Sequence, residues 1–264
     1  MADVEAARSG DFTLTGGGAR EPAPPPAPAP AAGDEAVMSL VDHLAELRRR
    51  LFISILAIVV GSVAGLFLAP RAIEILKAPI PGPLRFTDLG GAFMIQLKIA
   101  VVIGVVLAMP VILWQLWKFI APGLTPEERR LARPWVPLAL LFFALGVAVA
   151  YVVLPFASAF LLGFAVPGVL EPLITAEAYF GFVTMLFLAF GLVMEFPIVL
   201  VLLSKVGLVS SERLRKNRRY IALGITIFAV VVTPGGDPIS PTVLGVVMYV
   251  LFEFSIRLVR WAGR

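Results

Sequence analysis

The chain has 264 residues, 59% of them hydrophobic and only 15% charged, with a mean hydropathy of +0.94. A water-soluble protein of this length has too little interior to hide that much apolar surface, so the composition points to a membrane protein. The net charge is +4; the absence of cysteine excludes a disulfide framework, a thiolate metal site and a cysteine nucleophile, and a lone histidine does not furnish a zinc site.

Residues 1–37 are rich in Gly, Ala and Pro, and EPAPPPAPAP is expected to be a disordered, polyproline-like spacer. They contain no apolar h-region, so no secretory signal is expected there. The next stretch, SLVDHLAELRRRL (39–51), opens the membrane domain, expected over 38–262. Ser39 and Asp42 read as a capping box, and Leu40, Leu44, Leu47 and Leu51 fall at helical spacing. Two acids beside three arginines are unusual at a membrane edge. Glu46 either pairs with Arg50 four residues on or faces a partner. His43 reads as a hydrogen-bonded interface residue rather than a proton shuttle.

Six apolar segments follow, at about 51–69, 93–113, 136–156, 179–203, 220–233 and 239–256. Sixteen Lys and Arg lie in the segments that are inner if the N-terminus is inside: Arg48 to Arg50, Lys118 to Arg133, Lys205 to Arg219, and Arg257 to Arg264. The outer loops hold only Arg71, Lys77 and Arg85. The positive-inside rule therefore predicts an N-in, C-in topology.

Residues 70–92, which begin PRAIEILKAPIPGP, read as a short interfacial helix and then a rigid turn at the outer surface. Lys98 and Gln96 open the second span, where snorkelling accounts for the lysine. The inner loop WQLWKFIAPGLTPEERRLARPW carries Trp114, Trp117 and Trp135 in the manner of an interfacial belt. In that loop Thr125, Pro126 and Glu128 match a capping box, so Glu128 is either a cap or, with Glu127 and Glu46, part of an acidic site for a cationic guest on a basic surface. Thr175 is placed to cap the fourth helix.

Glu195 falls near the middle of the fourth span, where an ionised carboxylate is costly. It is either a helix-packing hydrogen bonder, a proton relay, an ion site or an anchor for a partner's helix, and Pro197 is placed to kink the helix beside it. The fifth span has 14 residues, rising roughly 21 Å against roughly 30 Å of hydrocarbon. With the sixth, at 18 residues, it is expected to be short, either packed within the bundle or thinning the bilayer beside a path for something crossing it. No HExxH, GxSxG, GxxxxGK[ST] or GxGxxG motif occurs, so neither a catalytic centre nor a nucleotide site is expected.

Several motifs, in order and at fitting spacing, carry a resemblance to a known family: HLAELRRRL, KAPI, PVILWQLWKFIAPGLTPEERR, FGLVMEFPIVLVLL, LRKNRRY, TPGGDPIS and YVLFE. Over about residues 38–262 the chain resembles TatC, the receptor subunit of the twin-arginine protein translocase. The resemblance implies an all-α polytopic fold of six helices with a structured outer cap, in a prokaryotic cytoplasmic membrane. It implies a receptor, not an enzyme, that binds twin-arginine signal peptides of folded cargo and assembles with TatA- and TatB-type single-span proteins and with itself. Export would draw on the proton-motive force; no cofactor, metal or nucleic acid is implied. Glu46 and Glu128 match the acids that recognise the paired arginines, with His43 and Glu127 on the same surface and Arg48, Phe119 and Pro122 at positions that shape it. Glu195 matches the intramembrane glutamate that engages partner helices, Pro79 a proline of the outer cap, and Asp237 an outer-loop aspartate linked to transport. Pro241 departs from the pattern, since many relatives carry glutamine after the serine. Outside the resemblance, the competing expectation is a proton-coupled secondary transporter of a small solute using Glu195.

Overall fold

The computed structural model describes residues 32–123, 126, 129–130, 134–166, 168–169, 172–205, 210–233 and 236–261. Inside a bilayer a backbone must satisfy its own hydrogen bonds, and apolar runs do so as helices. In chain order these are α1 (Ala32–Lys77), α2 (Gly91–Ile120), α3 (Trp135–Leu162), α4 (Ala176–Val193), α5 (Phe196–Lys205), α6 (Ser211–Lys216), α7 (Arg218–Val232) and α8 (Ile239–Trp261). No β-strand occurs among the described residues; a 3-10 turn, Ala121–Gly123, follows α2.

Two compact units divide the chain, residues 1–42 and 43–264. In the first, the described residues form the opening of α1, already helical at Ala32. Ser39 and Asp42 therefore lie inside a helix and not at its start, and the helix begins within the segment expected to be a spacer. The second unit holds the membrane fold. There α1 runs through Pro70 to Lys77, so the stretch expected as a separate interfacial helix is the end of α1. A proline gives up one backbone bond, and the apolar turns on both sides carry the helix past it.

Five helical stretches are long and apolar enough to cross a membrane: Asp42–Lys77, α2, α3, the α4–α5 run Ala176–Ser204, and Ile239–Leu258 of α8. The remaining expected span, α7, has 15 residues and falls short of that length. The expectation of a short sixth helix is not met. α8 has 23 residues, because it continues past Ile256 to Trp261.

Burial separates the helices. In α1 only 6% of the most apolar window is buried, whereas in α4–α5 the share is 61%. α4 is therefore the hub, and α1 presents Phe52, Val60 and Phe67 outward to lipid. Small residues let the helices close. A Cβ on Gly104 of α2 would lie 2.3 Å from Ser62 Oγ of α1, and one on Gly146 of α3 would lie 2.5 Å from the Phe190 carbonyl of α4.

On the side expected to be outer, two loops clasp each other. Arg85 N–H donates to the Ile174 carbonyl at 3.4 Å, and Ala176 N–H donates to the Arg85 carbonyl at 2.7 Å. Tyr179 Oη donates to the Leu76 carbonyl at 2.6 Å, tying the end of α1 to the start of α4. Thr175 caps α4 as expected, accepting from Ala178 N–H at 3.3 Å.

Candidate functional site

The cytoplasmic side predicted by charge is built where α1 and α2 run antiparallel. The imidazole of His43 stacks on the Phe119 ring, with centroids 4.4 Å apart. That stack, and not a hydrogen bond, is the contact of His43 among the described residues. One turn along α1, Glu46 Oε1 accepts from Arg50 Nη2 at 2.9 Å, the ion pair that the spacing allowed. Arg50 Nη1 reaches across to α2 and donates to Gln115 Oε1 at 3.1 Å. Gln115 is buried, so the guanidinium satisfies an amide that α2 would otherwise hold without a partner.

Arg48 is exposed on α1, and Pro122 is exposed in the 3-10 turn. The turn is held by Arg129, whose Nε and Nη2 both donate to the Ala121 carbonyl, at 3.2 and 2.9 Å. A cation bound to the last carbonyls of α2 also suits the negative end of its dipole. Glu127 and Glu128, and Thr125 with its expected cap, lie outside the described residues. The structure thus brings together His43, Glu46 and Phe119.

Glu195 occupies a different setting. It sits with Met194 at the break between α4 and α5 and is 7% exposed. Pro197 has no N–H to offer the Val193 carbonyl, and Glu195 N–H bonds three residues back to Leu192 at 3.1 Å, so the helix tightens and breaks there. Its Oε1 is buried without a hydrogen-bond partner among the described residues. The carboxyl borders an apolar groove of about 480 Å3 between α4–α5 and α7–α8, lined by Leu192, Phe196, Ile221, Phe228 and Met248 among others. Of the four readings open at the sequence level, the packing hydrogen bond finds no partner for Oε1 among the described residues.

Asp237 is buried and its Oδ1 accepts from Ser240 N–H at 2.6 Å, so it caps the start of α8; its Oδ2 is buried with no partner among the described residues. Pro79 lies in the turn after α1, where Ile80 N–H donates to the Lys77 carbonyl at 2.9 Å. Residues that sequence reasoning passed over also matter. Gln115 and Tyr179 hold helices together, and Glu253 of α8 accepts from Arg218 Nη2 of α7 at 2.9 Å. A lone amide between two tryptophans was a legible signal for Gln115; the other two partners lie too far along the chain to be read from spacing.

Residues 42–246 match the family model described as Sec-independent protein translocase protein (TatC). The chain is 37% identical to Sec-independent protein translocase protein TatC of Carboxydothermus hydrogenoformans, over 86% of this chain and 95% of that protein. It is likewise 37% identical to the Escherichia coli K12 protein of the same name, over 86% and 90%. A crystal structure of the twin-arginine translocase receptor TatC superposes with a TM-score of 0.71 at 36% identity, covering 84% of this chain and all of that one. These likenesses do not favour the solute-transporter reading. This multi-pass, all-α membrane chain belongs to the TatC family of Sec-independent protein translocase proteins.

Proposed function

We propose that the chain is the receptor of a twin-arginine translocation system, with both termini on the cytoplasmic side of a prokaryotic cytoplasmic membrane. Its α1–α2 face, with Glu46 and with Glu127 and Glu128 of the following loop, takes the paired arginines of a signal peptide. His43, Arg48, Phe119 and Pro122 shape that surface. The Glu195 groove takes the helix of a TatA- or TatB-type single-span protein, and Pro79 and Asp237 hold the outer turns. Copies of the receptor associate in the complex, and the proton-motive force drives export of folded cargo. The reading assigns the chain no enzymatic activity.

One observation carries this reading: Glu46 already engages a guanidinium at 2.9 Å, on a side chain that is not withdrawn into the core. A carboxylate and a guanidinium form directional, charge-assisted hydrogen bonds that an ammonium does not reproduce. The groove beside Glu195 supports the partner site in the same way. An apolar trough with one carboxyl fits an apolar helix bearing one polar group, which in hydrocarbon has few other places to go.

The test is photo-crosslinking of a signal peptide to the receptor in membranes. A twin-arginine peptide is expected to crosslink beside Glu46 and in the loop carrying Glu128, and a twin-lysine peptide much less. Equal crosslinking of both peptides, undiminished in Glu46→Ala and Glu128→Ala, is the result that would sink the reading.

A further inference from the structure

We propose that Arg50 is a resident competitor for Glu46, locked in place by Gln115, and that it raises the threshold a peptide must meet to bind. The inference rests on the signal-peptide reading above and adds to it the way the site rejects a weak cation.

The geometry is a relay of three side chains. Gln115 is 8% exposed within α2, and its Oε1 accepts from Arg50 Nη1. The other terminal nitrogen, Nη2, donates to Glu46 Oε1. Arg50 Nε is buried with no partner among the described residues, so the guanidinium is held through its two terminal nitrogens. Glu46 keeps 32% of its side-chain surface exposed, and Oε2 makes no hydrogen bond among the described residues. An ionised carboxylate accepts at both oxygens, so the site is half occupied and half open.

A guest cation has two ways in. It can take Oε2 while Arg50 keeps Oε1, which sets two positive groups on one carboxylate. Or it can displace Arg50, which leaves the buried Gln115 oxygen without its donor, a loss larger than that of an exposed hydrogen bond. An ammonium brings a point charge and recovers neither cost. A guanidinium brings a planar fork that can share the carboxylate edge beside Arg50, and a second arginine on the same peptide adds binding at another acid. Arg50 therefore acts against single or lysine cations more than against an arginine pair, which is specificity through a repulsive element. Gln115 touches no guest and is a positioning residue.

The test uses the full chain in lipid nanodiscs with labelled twin-arginine and twin-lysine signal peptides, reading Kd for each. Arg50→Gln is expected to tighten the twin-lysine peptide by about tenfold and the twin-arginine peptide by less, so that the selectivity ratio falls. Gln115→Leu keeps the volume and every charge, and is expected to move the ratio the same way by a smaller factor; it decides the matter if Arg50→Gln does not fold. An unchanged ratio in the folded variants, or a proportional loss for both peptides, overturns the competitor role. Glu46→Gln separates the two levels. If it binds the twin-arginine peptide like the parent, the underlying reading falls and the proposal with it. If it loses binding while the ratio in the other variants stays fixed, only the competitor falls.

Discussion

Glu46 stands where α1 meets water, with an arginine on one oxygen and a third of its side chain exposed, whereas Glu195 lies 7% exposed at a broken helix with its Oε1 unbonded. The side chain is the same and the solvent is not. At Glu46 the ion pair is partly solvated, so it contributes little to stability, and the second carboxylate oxygen stays open to a guest. At Glu195 the surroundings are apolar, and an unbonded carboxyl oxygen there is a standing cost that a partner's donor would relieve. One acid is suited to a ligand that comes and goes, the other to a subunit that stays.

Replacing Glu195 breaks the comparison most strongly. Glu195→Leu removes the carboxyl with its unbonded Oε1 at similar volume, and is expected to raise the stability of the isolated receptor by about 1–3 kcal/mol. The same change is expected to weaken assembly with a single-span partner. Thermal melting in detergent alongside co-purification checks both, and a variant that is less stable yet assembles normally would make Glu195 a packing residue. Glu46→Ala should give the reverse pattern. Peptide binding falls about tenfold, while stability changes by less than about 1 kcal/mol because the lost ion pair is partly exposed.

Asp237 sharpens the contrast, since it is a buried acid with a bonded oxygen. Asp237→Ala removes the α8 cap and is expected to cost about 1 kcal/mol, with Asp237→Asn recovering most of it in the same melting assay. Tyr179→Phe deletes the hydroxyl bound to the Leu76 carbonyl and is expected to cost about 0.5–1.5 kcal/mol, without effect on peptide binding.

What could be read in advance was local. The Thr175 cap and the Glu46–Arg50 pair span three and four residues, and periodicity alone places them. Pro197 marked the break at Glu195 because a proline's missing N–H acts within one turn. The interfacial helix expected from residue 70 is instead the end of α1, since the turns flanking Pro70 are apolar enough to keep that helix continuous. α8 runs past the expected end at Ile256, since an arginine such as Arg257 can continue a helix into the interface. The Arg50–Gln115 bond joins residues 65 apart and depends on how closely α1 and α2 approach at Gly104, which no local pattern encodes. Asp237 entered through family resemblance, and the structure shows it accepting from Ser240 N–H at the start of α8.

The central claim is that an arginine of the signal peptide bonds to Glu46 itself. A double-mutant cycle tests it most directly, combining Glu46→Gln in the receptor with Arg→Gln at each twin-arginine position of the peptide. Direct pairing predicts a coupling of at least about 1 kcal/mol for one of the two arginines, with the double change costing less than the sum of the singles. Strict additivity at both arginines would contradict it.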